Sequence, residues 1–191
     1  MTMDREKVCY FYEIIPSTIG EIGLIRRSCA GSSLICRILF PDAKGSAKNR
    51  IREFFPDAAP QAGGRDKIAL QIRDFLSGTA VDFDRDDLDF GVVQGFTRQA
   101  LQACGQIPRG YVMSYGDLAV SLGIPGGARA VGNTMAANPF PLMIPCHRVV
   151  RSDGSIGGFG GGVEVKKHLL RLEGIVFDSK GRVPTKHRLE K

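Results

Sequence analysis

The residues best suited to do chemistry stand together in the C-terminal half of the chain. Cys146, His147 and Arg148 follow one another directly. A thiol beside an imidazole and a guanidinium is a setting in which a reactive thiolate can be stabilised. Neighbouring side chains of an extended segment point to opposite sides, so we expect His147 to act on Cys146 through a water molecule or after a bend. The alternative is an inert buried cysteine beside a hydrogen-bonded histidine, and these three residues alone leave both open.

The segment leading to Cys146 has a restricted backbone. Asn138 ends the preceding helix, because a residue before proline is pushed out of the α region. Pro141 and Pro145 fix φ at two further positions. We therefore expect a defined turn that presents the thiol.

A pair of short helices is predicted before this turn. Ser114 caps a helix that runs to Leu122, a glycine-rich breaker follows, and a second helix covers residues 128–137. This is the outline of a helix-turn-helix. The small residues of the second helix allow either close approach to DNA or tight packing against another helix. Arg129 in its first turn favours DNA, because a cation there opposes the helix dipole and needs an anionic or stacking partner.

Two features follow the cysteine. The glycine-dense residues 157–162 are either a flexible linker or a pocket wall that needs close backbone approach, and no GK[ST] ending indicates a phosphate loop. Next comes an amphipathic helix that ends at Gly174. Glu173 lies at the edge of its apolar face, near the negative end of the dipole. We expect a partner such as His147 or Arg148, unless the helix end frays and leaves Glu173 solvated.

The first half of the chain has the pattern of an α/β domain. Residues rich in β-branched and aromatic side chains predict three strands, at 8–15, 21–25 and 34–40. Apolar residues at helical spacing predict helices at 51–55 and 68–76.

Residues 77–89 contain five aspartates and no helical period, and they predict a bridge to a second, mainly helical domain. We expect an α/β domain with its linker over residues 1–89, a helical domain over 90–177 and a solvated, poorly ordered basic tail over 178–191.

Composition limits the class of protein. With 191 residues and 43% apolar content, the chain is long enough to bury a core. It starts with charged residues, and no stretch approaches the ~20 apolar residues of a membrane helix, so we expect a soluble protein of the cytoplasm or nucleus. Five cysteines without CxxC spacing argue against a disulfide framework and fit a reducing compartment. Cys104, on an apolar helical stripe, is expected to be buried.

The charge is unevenly distributed. Residues 1–95 hold 13 Lys/Arg against 14 Asp/Glu, a net charge of −1, whereas residues 96–191 hold 13 against 6, a net charge of +7. Such asymmetry favours a polyanionic partner for the C-terminal half. Basic tails also serve solubility, so charge alone leaves nucleic-acid binding open.

The chain resembles the O6-alkylguanine-DNA alkyltransferases, or methylated-DNA-protein-cysteine methyltransferases, over residues 94–176. The motifs that carry the resemblance are Phe96-Thr97-Arg98-Gln99, Ile107-Pro108-Arg109-Gly110, Ser114-Tyr115, Ala128-Arg129-Ala130-Val131-Gly132, Asn138-Pro139, Pro145-Cys146-His147-Arg148-Val149, and Leu169-Leu170 before Glu173-Gly174. Over residues 8–90 the likeness is loose, mainly Ser17-Thr18-Ile19-Gly20. It implies a ribonuclease-H-like α/β domain before a mainly α, winged helix-turn-helix-like domain.

This resemblance implies DNA repair by direct, irreversible and stoichiometric transfer of an alkyl group from O6 of guanine to Cys146. The helix-turn-helix would enter the minor groove, insert Arg129 into the base stack and flip the lesion into a pocket. Tyr115 would donate a hydrogen bond to the base. His147, oriented by Glu173, would take the thiol proton through a water molecule.

Further residues are implied by the same resemblance. Asn138 braces the turn before the cysteine. DNA contacts are expected from Arg129, Tyr115, Ser114, Ala128, Met135 and Arg148. The pocket for the base and its alkyl group is expected to include Val149, Phe159, Gly160 and Pro141. Relatives often carry tyrosine where this chain has Phe159 and a hydroxyl-bearing or bulkier residue where it has Gly160, so we expect a more open and mobile pocket wall here.

The implied partner is double-stranded DNA carrying O6-alkylguanine, with no membrane, no cofactor and a monomeric chain. Some relatives hold a structural zinc in the N-terminal domain, but a structural site usually needs four Cys/His ligands, and no histidine precedes His147. We therefore expect no metal.

Three other functions compete with this hypothesis. A non-enzymatic relative that binds alkylated DNA for repair signalling lacks the active cysteine, which this chain keeps. A cysteine hydrolase using Cys146 and His147 would turn over and need no DNA. A helix-turn-helix regulator controlled by thiol alkylation would bind a specific promoter.

Overall fold

A computed structural model of the chain describes residues 8–29, 31–41, 46–61 and 66–190. Its first sheet contains β1 (Cys9–Ile15), β2 (Ile22–Cys29), β3 (Ser32–Leu39) and β4 (Ala59–Pro60). The order is β3-β2-β1-β4, with β1, β2 and β3 antiparallel and β4 parallel to β1. The three predicted strands are confirmed, although β2 runs on to Cys29. The two-residue β4 is too short to show an alternating pattern.

Two helices cover this sheet. Ser46 caps α1 (Ala47–Phe54), and Asp66 caps α2 (Lys67–Leu76) through its carboxylate, which accepts from the Ile68 amide. The predicted apolar face of α2 is buried. Asp66 is also held by Arg26 Nη2 at 3.1 Å, so the start of α2 is fixed to β2.

Residues 87–89, at the end of the predicted bridge, pair with β3 at Ile35. The Ile35 amide donates to Asp87 O at 2.7 Å, the Asp89 amide donates to Ile35 O at 2.9 Å, and Arg27 Nε donates to the Asp89 carboxylate at 2.6 Å. The C-terminal end of the expected bridge is therefore anchored to the first sheet.

The second half contains four helices and a small sheet. A 3₁₀ turn (Phe90–Val92) precedes α3 (Gly95–Gly105), β5 (Val112–Ser114), α4 (Tyr115–Ser121), α5 (Ala128–Ala136), a second 3₁₀ turn (Cys146–Arg148), β6 (Val149–Val150), α6 (Val163–Leu172), a third 3₁₀ turn (Thr185–His187) and β7 (Arg188–Leu189). Strand β5 pairs in parallel with both β6 and β7. The helix pair was predicted, whereas this sheet was missed because its strands are two or three residues long.

The chain is a mixed α/β structure with a core that crosses both halves. One apolar cluster joins residues of the first sheet, such as Ile38, to Ala100, Val131 and Leu169 of the second half. Cys104 is buried in it, as predicted. Among the helices of the described stretches, none has the length and apolar character needed to cross a membrane.

The expectation of a solvated tail at 178–191 is wrong for residues 178–190. Val183 is fully buried, and its amide donates to Gly154 O at 2.9 Å. Arg188 donates to the carbonyls of Val183, Ser152 and Asp153. The basic residues of this segment suggested a solvated tail. Instead, Arg188 donates to backbone carbonyls, and β7 pairs with the edge of β5.

We predict that Val183→Ala lowers the free energy of unfolding by about 2 kcal/mol, because it removes two buried methyl groups and leaves a cavity. Val176→Ala is the matched control, since Val176 is 73% exposed, and it should change stability by less than about 0.5 kcal/mol. Urea unfolding of both variants measures the difference. Equal small effects would show that residues 178–190 contribute no packing.

Candidate active site

Cys146 follows a short loop with a braced and strained backbone. Asn138 Nδ2 donates to Ile144 O at 3.0 Å, and Asn138 Oδ1 accepts from the Phe140 amide at 2.9 Å. Leu142 has φ 75°, a left-handed conformation that costs about 1–2 kcal/mol for a residue with a Cβ. The side chain of Leu142 is buried, so packing holds the strained turn. These contacts are the ones that the predicted bracing role of Asn138 requires.

Residues 146–148 form a 3₁₀ turn, which corrects the expected extended segment. The Arg148 amide donates to Pro145 O at 2.8 Å, and the turn buries both Cys146 and His147. Burial raises the pKa of the Cys146 thiol above its ordinary value. A hydrogen bond from Asn138, the charge of Lys166 and the amides of the turn act against that rise without cancelling it. The thiol is therefore protonated near neutral pH and needs a base.

A carboxylate supports the histidine from behind. Glu173, whose side chain is fully buried at the end of α6, accepts from His147 Nε2 at 2.8 Å. Arg148 reaches the same carboxylate with Nε at 3.0 Å and Nη2 at 2.8 Å, and its Nη1 donates to Ile107 O at 2.6 Å. Burial alone would raise the pKa of Glu173, but His147 and Arg148 outweigh it and lower that pKa to about 2. The sequence suggested one of the two partners, and the structure gives Glu173 both.

These contacts determine the state of the imidazole. Because ionised Glu173 can only accept, Nε2 of His147 carries the proton and Nδ1 has the lone pair. Burial lowers the pKa of His147 more than the carboxylate raises it, so the ring is neutral near pH 7. Nδ1 is buried and has no hydrogen-bond partner among the described residues. It is therefore available to take a proton.

Arg148 was expected to contact DNA, and the structure corrects this. Its guanidinium lies inside the protein, between Glu173 and Ile107 O, and the residue is only 9% exposed. A buried carboxylate needs a permanent cation, and Arg148 supplies it.

Cys146 borders two clefts. The larger, of about 410 Å³, is lined also by Tyr115, Gly132, Met135, Arg151 and the glycine-rich segment 157–160. The smaller, of about 100 Å³, includes three of the residues predicted for the pocket: Pro141, Phe159 and Gly160. The glycine-rich segment is thus a cleft wall. A Cβ on Gly157 would come within 3.1 Å of the Tyr115 hydroxyl, so this wall needs glycine there.

The outer face of α5 is exposed and built from small residues around Arg129. Ala130, Asn133 and Ala136 are exposed, while Val131 and Met135 pack inward. Packing against another helix therefore does not account for Ala130, Asn133 and Ala136, whereas Gly132 lies beside Tyr115 of α4. Met135 lines both clefts from the inside instead of standing on the exposed face.

Three other predicted residues lie close by. Ala128 is the half-buried first residue of α5. The Ser114 hydroxyl accepts from the Asp117 amide at 2.9 Å as the cap of α4, so it is engaged at the helix start. Val149 is buried in β6. Their predicted contacts with DNA or the base stay predictions.

Lys166 is a site residue that sequence reasoning missed. It is fully buried, and its Nζ donates to Val149 O at 2.6 Å and to Gly158 O at 3.3 Å, with the Tyr115 hydroxyl at 3.5 Å. Burial lowers its pKa to about 8. This ammonium ties β6, the cleft wall and α4 together beside the thiol. A lysine among helix residues usually indicates a solvated face, so no local signal marked it.

The fold and the site define a protein with a helix-turn-helix and a buried cysteine whose neighbour is a neutral histidine base. Residues 95–175 match the family model described as "6-O-methylguanine DNA methyltransferase, DNA binding domain". The chain belongs to the methylated-DNA-protein-cysteine methyltransferase family.

Several members show how far the likeness extends. The family member of Mycobacterium tuberculosis is 37% identical over 162 residues, 85% of this chain and 91% of that protein. That of Methanothermobacter thermautotrophicus is 41% identical over 128 residues, 67% of this chain and 71% of the relative. A crystal structure of M. tuberculosis OGT in complex with DNA matches with a TM-score of 0.69 at 31% identity, covering 92% of this chain and 96% of that one.

We predict that Lys166→Met slows alkylation of Cys146 by iodoacetamide roughly threefold at pH 7.5, because the nearby positive charge no longer stabilises the thiolate. Lys167→Met is the matched control, since Lys167 pairs with Glu164 near the surface. Peptide-resolved mass spectrometry measures the rate at Cys146 alone. The same loss in both variants would exclude a specific effect of Lys166.

Proposed function

We propose that this protein repairs O6-alkylguanine in double-stranded DNA by direct transfer of the alkyl group to Cys146. The observation that carries the proposal is a buried thiol next to a neutral imidazole with a free Nδ1, at the base of a cleft bordered by α5. Membership of the family supports the same activity.

The proposed reaction uses these residues in turn. His147 Nδ1 takes the Cys146 proton through a water molecule, and Glu173 stabilises the resulting imidazolium. The sulfur attacks the alkyl carbon in line, so an S–C bond forms while the C–O6 bond breaks and its electron pair leaves with guanine. Tyr115 donates a hydrogen bond or proton to the base at N3, which stabilises the leaving group. The product is a thioether, so the transfer is irreversible and consumes one protein molecule for each lesion.

Access to the lesion requires base flipping. The exposed small residues of α5 support close approach to the minor groove, and Arg129 in its first turn is proposed to occupy the vacated stack. The larger cleft between α5 and the glycine-rich wall then receives the base. Carbonyls of Cys146 and Val149 are proposed to accept from the guanine amino group, and the Gly160 amide to donate to O6.

We also propose a fold class for each half of the chain. A four-stranded sheet of order β3-β2-β1-β4, with β4 parallel to β1, supports a ribonuclease-H-like N-terminal domain. The α4–α5 pair beside a small sheet supports a winged helix-turn-helix-like second domain. We propose that the protein acts as a monomer in the compartment that holds DNA.

We predict that mixing the protein with a duplex bearing O6-methylguanine adds one methyl group to the peptide that contains Cys146. The stoichiometry should approach one methyl per protein, measured by mass spectrometry of the peptide and of the intact protein. Cys146→Ser should receive none, whereas Cys9→Ser should react like the parent. A cysteine hydrolase would release product and keep its mass, and an intact lesion with unmodified Cys146 would refute the transfer.

We predict that Arg129→Ala slows repair of duplex DNA roughly 100-fold, because the flipped state loses a few kcal/mol of stabilisation. Reaction with the free base O6-benzylguanine needs no flipping and should fall far less. Arg98→Ala, which removes an exposed arginine of α3 that lies over Phe90, is the control. Equal losses on duplex and free base would rule out a flipping role for Arg129.

A further inference from the structure

Arg151 is an exposed cation at the larger cleft, three residues beyond the buried Arg148. It is exposed and lines the larger cleft together with Tyr115 and Cys146. No sequence argument selected it, because it follows the recognised motif and stands at the end of a strand too short to predict.

The positive charge of Arg151 affects two polar groups at the cleft, Tyr115 and Lys166. Burial raises the pKa of Tyr115, and the positive charge of Arg151 acts against that rise. The same charge adds to the burial that lowers the pKa of Lys166. The guanidinium therefore lies near the two polar groups at the cleft wall and adds positive potential to the mouth of the cleft.

The backbone at Arg151 is held rigidly. Its amide donates to Ser155 O at 2.9 Å, and its carbonyl accepts from the Gly154 amide at 2.9 Å, which closes a tight turn. Arg188 braces this turn from the C-terminal segment by donating to Asp153 O at 3.1 Å. A Cβ on Gly154 would collide with the Arg188 guanidinium, so turn and C-terminal segment fit closely. Such a preorganised support reduces the ordering needed when a ligand binds.

No ion pair among the described residues occupies Arg151. The nearby carboxylate of Asp153 is engaged by the Ser155 hydroxyl at 2.7 Å and by Arg182 at 3.7 Å. The guanidinium of Arg151 is therefore available to an external anion.

We propose that Arg151 binds a backbone phosphate of the nucleotide whose base enters the cleft. The inference rests on the proposed function and deepens it. A flipped base sits at the bottom of the cleft beside Cys146, but its two phosphates stay at the mouth because the strand must rejoin the duplex on both sides. An arginine at the mouth meets a phosphate there and can bind it with two parallel hydrogen bonds.

The test measures binding to a duplex with one O6-methylguanine at several salt concentrations. A Cys146→Ser background prevents reaction, and Arg151→Gln, Arg151→Lys and Arg171→Gln are compared in that background. Loss of one phosphate contact should lower the slope of log K against log salt by about 1 and weaken binding about eightfold at 0.1 M salt and about threefold at 0.3 M. Arg151→Lys should restore the slope. Arg171 is exposed on α6 over Phe177, and its variant should keep the parent slope.

An unchanged slope in Arg151→Gln overturns the proposal, as does an equal loss in Arg171→Gln, which would show only a general effect of charge. Failure of Arg151→Lys to restore the slope would likewise contradict phosphate binding. These outcomes are independent of the transfer itself. If Cys146 of the parent protein stays unmethylated on the same duplex, the proposed function fails whatever the salt slope shows.

Discussion

The active site depends on one buried negative charge. Glu173 has no solvent contact, and such a carboxylate is strongly destabilising unless several donors surround it. Arg148 supplies a permanent cation and His147 supplies Nε2–H, so the carboxylate determines the tautomer of the base and the position of the 3₁₀ turn. Removing that charge would leave the Arg148 guanidinium buried without its ion-pair partner. Because α6 ends at Glu173 and the turn begins at Cys146, this charge also joins the last long helix to the nucleophile.

The walls of the larger cleft are held by a second buried charge of opposite sign. Lys166 of α6 lies about two helical turns before Glu173, and its ammonium donates to carbonyls of β6 and the glycine-rich wall. From the other side, Phe40 of the N-terminal half packs on Phe159 with ring centroids 5.5 Å apart. The N-terminal half therefore supports the cleft wall, although none of its residues was expected to take part in the chemistry. One helix, α6, therefore positions both parts of the site. Glu173 at its C-terminal end orients His147, and Lys166 within it holds the cleft wall.

Much of this arrangement could be predicted from local patterns. The helix pair, the turn after Asn138 and a partner for Glu173 all follow from caps, prolines and dipoles, which act over a few residues. Long-range contacts could not be predicted in the same way. The sequence offered Arg148 as one possible partner of Glu173 but also assigned it to DNA, and only the folded position of Glu173 shows that Arg148 is buried while Arg151 is exposed. Strands β5, β6 and β7 pair residues far apart in the chain, and a basic C-terminus gives no sign that Arg188 will brace the turn at Gly154.

The state of Cys146 fits a thiol that is used once. Burial keeps it protonated, and a thiol with a raised pKa on a residue only 4% exposed reacts slowly with small electrophiles in solution. The base that activates it is equally enclosed, because Nδ1 of His147 faces no solvent. In an enzyme that turns over many times, each molecule has usually converted many substrates before a side reaction destroys its nucleophile. A protein that forms one stable thioether per molecule reacts only once. Protection of its thiol before it meets damaged DNA therefore matters more than the intrinsic reactivity of that thiol. In the proposed mechanism, activation therefore comes with the substrate, through the hydrogen bond proposed from Tyr115 to the leaving base.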